Sequence, residues 1–188
     1  MLEIEVKYRN ADPDALEAKL RSLGAVRLET RTESDQYFNA PDRDLKQTDE
    51  AFRLRRIGNT SRFTYKGPKR DAETKTRPEI EVPLADGDEP AGYAVRMLVC
   101  LGYRPVATVT KRRTVYRLNR GGFDIDVCLD DVDRVGTFAE VEIVADESQF
   151  ESAKAAVLAL AAELGLADVE RRSYLGMFLA GVSTEKSG

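Results

Sequence analysis

The 188-residue chain carries 29 Lys+Arg against 33 Asp+Glu, a formal net charge of −4, and no histidine. Histidine-based nucleophile triads, a histidine general base and histidine-ligated zinc are therefore excluded. The near-balance of charge offers no broad basic surface for a nucleic-acid backbone. The two cysteines, Cys100 and Cys128, lack CxxC spacing, so two free thiols in a reducing cytoplasm are expected.

In chain order, Leu2 to Arg9 alternates apolar and charged residues with period two, which predicts a strand. Asp12-Pro13 then supplies a helix N-cap with proline at the first helical position, and Gly24 marks the helix end. Ala25 to Phe38 reads as a long strand, and the polar segment Asn39 to Glu50, with Pro41, as a loop. Two strands, Ala51 to Ile57 and Arg62 to Lys66, flank the hairpin signal Gly58-Asn59-Thr60. A charged loop follows over Gly67 to Thr76, then a strand over Arg77 to Leu84 and a helix from Pro90 to Leu101. Pro105 to Leu118 and Phe123 to Val132 form a strand pair turned by Gly121-Gly122, and Thr137 to Val144 is a further strand. Helices are predicted over Glu147 to Leu164 and Val169 to Leu179. The fold class is α+β: about eight hairpin-linked antiparallel strands forming a sheet or barrel, with flanking helices. One domain is expected over residues 1–182, with residues 183–188 a disordered tail. The charged opening has no signal-peptide core, and no apolar run approaches the roughly 18 residues of a membrane helix, so no membrane partner is expected.

The informative feature is the parity of charge within strands. Glu3, Glu5 and Lys7 share one face of the first strand; Arg53 and Arg55, then Arg62 and Lys66, then Arg77, Glu79 and Glu81 do the same farther on. Lys111 and Arg113 form another doublet, Asp124, Asp126 and Asp130 a triplet, and Glu140 and Glu142 the last pair. A solvated sheet face is the ordinary explanation for any one strand. For the set, full charges of both signs recur where a solvated face usually mixes in neutral polar residues. Helices covering the apolar face outside a barrel would turn the charged face into the lumen. Such a lumen suits a polyanion with divalent cations: carboxylates are ligands for Mg²⁺ or Mn²⁺, and Lys and Arg bind phosphate oxygens. No Walker A loop or GxGxxG fingerprint is present.

The motifs themselves point the same way. Glu3-Ile4-Glu5-Val6-Lys7 is an ExExK signature. It is followed in order by Asp35-Gln36-Tyr37-Phe38, Arg53-Leu54-Arg55, Thr64-Tyr65-Lys66-Gly67-Pro68, Arg77 with Glu79 and Glu81, Lys111-Arg112-Arg113, Leu129-Asp130-Asp131-Val132, Gly136-Thr137-Phe138 with Glu140 and Glu142, and Ser173-Tyr174-Leu175. Over essentially its whole length the chain resembles the CYTH superfamily, the triphosphate tunnel metalloenzymes, and within it the class IV adenylate cyclases. The resemblance implies an eight-stranded antiparallel β-barrel tunnel that binds a triphosphate such as ATP with Mg²⁺ or Mn²⁺. It implies Glu3, Glu5, Glu140, Glu142 and Asp130 as metal ligands, and Lys7, Arg53, Arg55, Lys66, Lys111 and Arg113 as phosphate binders, with Lys111 and Arg113 also at the reacting centre. Glu79 and Glu81 match acidic tunnel positions serving metal or substrate. Either Asp126 or Asp130 is the acid beside the attacking group; their shared parity leaves both open. The implied reaction is conversion of ATP to cyclic AMP and pyrophosphate. Some cyclases of that branch carry a His-Phe pair ahead of ExExK, whereas this chain has no histidine, which sets triphosphate hydrolysis beside cyclisation as the alternative. A non-catalytic triphosphate-binding module is the third reading, and a homodimer is left open.

Overall fold

The computed structural model describes residues 2–10, 12–70 and 74–185, the side chains of 183–185 excepted. Eight strands run β1 (Leu2–Arg9), β2 (Val26–Asn39), β3 (Ala51–Ile57), β4 (Thr60–Lys66), β5 (Glu79–Pro83), β6 (Arg104–Arg120), β7 (Phe123–Val132) and β8 (Gly136–Ala145). Four helices join them: α1 (Pro13–Ser22), α2 (Asp88–Cys100), α3 (Phe150–Leu164) and α4 (Tyr174–Glu185). The strands form one antiparallel sheet in the order β1-β8-β7-β6-β2-β3-β4-β5.

The sheet curls until its two ends meet. Its closure differs from a complete strand ladder. Arg77, expected inside the fifth strand, instead makes a single bridge to Glu3, and the Lys75 N–H donates to the Glu5 carbonyl at 2.8 Å. Pro78 explains the difference: it lacks an N–H and interrupts pairing before β5 begins at Glu79. Residues 74–77 thus form the seam of an otherwise laddered barrel. Residues 71–73 of the expected charged loop lie outside the described residues.

Local signals account for α1. The Asp12 carboxylate accepts from the Ala15 N–H at 2.9 Å, Pro13 opens the helix, and Gly24 takes a left-handed φ of +79° just past its end. α1 and α3 pack on the outer apolar face of β1, β8, β7 and β6, where Ile4, Val6, Leu16, Leu20, Ile125, Val141, Val157 and Leu160 are buried together. α2 covers the outer face of β2 and β3 through Ala91 and Leu98 against Phe38 and Leu54. The apolar residues of β5, Ile80 and Val82, stay exposed. Leu20 has no solvent exposure, so Leu20→Ala is expected to cost about 2–5 kcal/mol of stability in urea denaturation, by lost burial and a residual cavity.

The last helix starts later than its apolar pattern suggests. Val169 is taken up by a bridge to Tyr8, and α4 begins after Ser173, whose hydroxyl accepts the Gly176 N–H at 3.0 Å. It then runs on to Glu185, into the segment expected as a tail; residues 186–188 lie outside the described residues. Tyr174, Met177 and Phe178 pack with Tyr37, Val109, Val132 and Phe138. Those four strand residues point inward, so α4 plugs one end of the barrel with apolar surface. No helix among the described residues is long and apolar enough to cross a membrane.

Candidate active site in the barrel lumen

With helices on the outer face, the charged parity faces the lumen. Glu5, Lys7, Glu33, Asp35, Arg55, Lys111, Arg113, Asp130 and Glu140 are all buried. Register sets which of them meet. Glu5 pairs with Glu142 and Lys7 with Glu140 across β1 and β8; Asp35 pairs with Arg55 across β2 and β3; Glu33 pairs with Lys111 and Arg31 with Arg113 across β2 and β6.

The lumen carboxylates fall into two groups by how many cations each already faces. Asp130 is saturated. It accepts from Lys111 Nζ at 2.9 Å, Arg113 Nε at 2.7 Å and Nη2 at 2.6 Å, and the Tyr174 hydroxyl at 2.9 Å. Asp35 holds Arg55 through two bonds of 2.7 and 2.8 Å and lies 3.2 Å from Arg53 Nη1. Glu33 accepts from Arg31 Nε at 2.7 Å and lies 3.0 Å from Arg55 Nη2. Glu140 is paired with Arg113 Nη2. Burial alone would raise all four carboxyls, but the adjacent Arg and Lys charges outweigh it and hold each below its ordinary value. These acids fix the basic side chains in place.

Glu3, Glu5 and Glu142 form the second group. One oxygen from each lies within 4.8 Å of the others. The nearest cation to Glu142 among the described residues is Arg113, its Nη1 3.9 Å away, and Arg117 also feels its charge. Burial pushes the Glu142 carboxyl up to about 8, opposed by Arg113 and reinforced by Glu3 and Glu140. Burial raises Glu3 as well, although Lys66 Nζ sits 2.5 Å from it. Three crowded hard-oxygen donors, with direct cationic contacts to Lys66, Lys75 and Arg113 respectively, fit a divalent cation such as Mg²⁺ or Mn²⁺.

Around this acidic corner stand six buried or half-buried cations: Lys7, Arg53, Arg55, Lys66, Lys111 and Arg113. Lys66 bridges Glu3 and Glu79, the latter at 2.9 Å; burial would lower its ammonium, but the two carboxylates raise it. Lys7 donates to the Arg172 carbonyl at 2.6 Å and lies 3.9 Å from the centre of the Tyr174 ring. Burial, and next the charge of Lys75, lower it to about 7.

Two expected residues stand apart from the cluster. Asp126 forms a two-bonded pair with Arg117 at 2.6 and 2.7 Å, and Glu81 pairs with Arg62 at 3.0 Å and accepts from the Thr64 hydroxyl at 3.2 Å. Both pairs are partly exposed. Asp126 lies at the mouth opposite the α4 plug, beside its register partner Glu142. Conversely, the parity argument passed over Glu33 and Asp35, which follow Arg31 at the same two-residue spacing. It also passed over Lys75 and Tyr174, which lie outside the strands. Cys128 is buried with its thiol raised by burial, a neutral filler of the lumen wall.

Two expected results follow from these contacts. Tyr174→Phe leaves buried Asp130 one donor short and should cost about 1–3 kcal/mol in urea denaturation. The second concerns pH. Glu142 titrates at 4.5 unfolded and about 8 folded, so the native state holds the extra proton between those values and metal-free stability falls as pH rises through that window. Lys7 has the opposite effect: its folded value of about 7 lies below the ordinary 10.5, so stability recovers as pH rises from about 7 toward 10.5. Chelated protein should therefore show a melting minimum near pH 7 to 8, removed by Mn²⁺. A melting temperature that rises steadily from pH 5 to 8 without metal would contradict it.

The chain is similar to known proteins over nearly its whole length. The CYTH domain profile matches residues 1–174. The protein MJ0240 of Methanocaldococcus jannaschii is 32% identical over 178 residues, covering 93% of this chain and 97% of its own. Adenylate cyclase CyaB of Aeromonas hydrophila is 35% identical over 178 residues, covering 92% and 86%. The solved structure of the PH1819 protein from Pyrococcus horikoshii OT3 superposes with a TM-score of 0.82 at 33% identity, covering 95% of this chain and 98% of that one.

Proposed function

The chain belongs to the CYTH domain family, and we propose that it is a class IV adenylate cyclase-like enzyme that converts ATP to cyclic AMP and pyrophosphate with Mg²⁺ or Mn²⁺. The observation that carries this reading is the lumen's division into a crowded acidic corner, Glu3, Glu5 and Glu142, and a facing set of six cations, four of which, Arg53, Arg55, Lys111 and Arg113, are held by Asp35, Asp130 and Glu140. That pairing suits a metal–triphosphate. The related CyaB bears the name adenylate cyclase.

In this reading Glu3, Glu5 and Glu142 hold the cation. The chemistry it supplies is neutralisation of charge on the phosphate oxygens and the leaving pyrophosphate. Glu140 and Asp130 keep Arg113 and Lys111 aimed at the phosphates. Arg53, Arg55, Lys66 and Lys7 line the rest of the phosphate path, with Asp35 and Glu79 orienting three of them. The plugged end receives the terminal phosphates, because it is closed to anything larger. The nucleoside then lies at the open mouth. Asp126 stands there next to Glu142 and accepts the proton of the ribose 3′-hydroxyl as that oxygen attacks the α-phosphorus. Asp126 is also held by Arg117, but that pair is partly exposed, whereas Asp130 is buried and engaged by Lys111, Arg113 and the Tyr174 hydroxyl. The two free thiols, Cys100 and Cys128, suit a cytoplasmic setting.

Incubation with ATP and Mn²⁺, followed by chromatographic separation of products, tests the reading. Cyclic AMP and pyrophosphate in equal amounts are expected. Release of orthophosphate without cyclic AMP would instead assign the site to triphosphate hydrolysis. Asp126→Asn should lower kcat about 10²- to 10⁴-fold as a lost general base, with little change in melting temperature.

A further inference from the structure

Lys75 lies on no strand, yet its side chain is buried deep in the site. The residue is 6% exposed. Its ammonium sits 3.1 Å from Glu5 Oε1, and its backbone N–H donates to the carbonyl of the same residue at 2.8 Å. The segment around it is well anchored: the Thr74 and Thr76 hydroxyls bond each other at 2.6 Å, the Arg70 N–H reaches the Thr76 carbonyl at 2.8 Å, and Arg77 bridges Glu3. The backbone is thus fixed, and the ammonium at the end of the four-carbon stem is held by Glu5.

Its electrostatic position is unusual. On one side Lys75 faces Glu5, a member of the three-carboxylate corner. On the other it lies close enough to Lys7 to depress that ammonium. The two lysines lie between Glu5 and Glu140, and Glu140 is itself paired with Arg113, so the cations there outnumber the carboxylates and leave room for an anion. Before metal binds, Glu5 feels the charges of Lys7 and Lys66 and holds Lys75 in direct contact. Once a divalent cation takes the charge of Glu5, Lys75 lies between that cation and Lys7, with only Glu140, shared with Arg113, Lys111 and Lys7, left to attract it, and an arriving anion favours it.

We propose that Lys75 is an exchanging counter-ion: it neutralises Glu5 before metal binds, and moves onto the triphosphate once a divalent cation takes that place. The idea rests on the metal–triphosphate reading above and adds a seventh cation, supplied by the seam, to the six on the strands. It couples the two ligands in order, since metal must displace Lys75 and triphosphate then recruits it.

Lys75→Met keeps the stem and removes the charge. In calorimetry, the full-length variant should bind Mn²⁺ alone about tenfold more tightly, because no internal cation has to leave Glu5, and should bind a triphosphate analogue with methylene groups at both bridging positions, in the presence of saturating Mn²⁺, about tenfold more weakly. Lys75→Arg should return both values toward wild type. Melting curves confirm folding; if Lys75→Met is unfolded, Lys75→Gln serves for the same pair of titrations. The opposite signs are the signature. Shifts in the same direction, or no shift in either, overturn the role of Lys75. Failure of the wild-type protein to bind the analogue with Mn²⁺ overturns the parent reading instead, so the two failures are told apart.

Discussion

Glu142→Gln is expected to lower turnover at least about a hundredfold while making the metal-free protein more stable at pH 8. The two effects share one cause. Glu142 crowds against Glu3 and Glu5 within 4.8 Å, and its closest cation is Arg113 at 3.9 Å. Burial favours its neutral form, lifting the carboxyl to about 8. A glutamine has the same shape and no charge to desolvate, so the native state loses a repulsion and no saturated partner. What disappears is a ligand. Mn²⁺ affinity should fall with turnover, and the decline of melting temperature between pH 5 and 8 should flatten, because the proton responsible for it is gone. Retained activity with an unchanged pH profile would show that Glu142 takes no part in the corner. The gain in stability separates this site from an ordinary core position, where replacing a buried charge that has a good partner is costly.

Asp130→Asn shows the converse and carries the largest expected loss of stability, about 3–5 kcal/mol. Asp130 is the common acceptor for Lys111, Arg113 and the Tyr174 hydroxyl. Removing its charge leaves two buried cations sharing Glu33 and Glu140. Urea denaturation measures the loss. Asp126→Asn is the matched comparison on the same strand and the same face. Its partner Arg117 is 47% exposed and Asp126 itself 23% at the side chain, so a change below about 1 kcal/mol is expected. Equal losses for the two variants would contradict the division between saturated lumen acids and the rim.

That comparison also marks how far the sequence is informative. Period-two alternation in Glu3-Ile4-Glu5-Val6-Lys7 and in Glu140-Val141-Glu142 places the charged faces, and the apolar partners Ile4, Val6 and Val141 are covered by α1 and α3. Parity alone, however, says which face a residue occupies and nothing about its depth along the barrel axis. Asp126 and Asp130 are therefore indistinguishable in the sequence and lie at opposite ends of the site in space. Depth comes from register, which is set by pairings between segments far apart in the chain, such as Glu5 with Glu142 and Arg113 with Arg31.

Lys75 was illegible for a different reason. It belongs to a segment without periodicity, and only the closure of the sheet, forced into a short seam by Pro78, carries it to Glu5. Tyr174 reaches Asp130 because α4 begins after Ser173 and plugs the barrel; a helical pattern carries no sign of which strand its first turn will face. Glu33 and Asp35 were legible by the same alternation as the rest. Their charge follows Arg31 at two-residue spacing, and their role as partners for Arg55 and Lys111 emerges only from the register of β2 with β3 and β6.

The central claim is that the acidic corner holds the cation and the facing lysines and arginines hold the triphosphate. Crystals grown with Mn²⁺ and the bis-methylene triphosphate analogue, measured at a wavelength where manganese scatters anomalously, test it most directly. The account predicts an anomalous peak at about 2.0–2.3 Å from oxygens of Glu3, Glu5 and Glu142, with the analogue's phosphates against Arg53, Arg55, Lys66, Lys111 and Arg113. Manganese and analogue bound outside the lumen, with Glu142 free of metal, would contradict it.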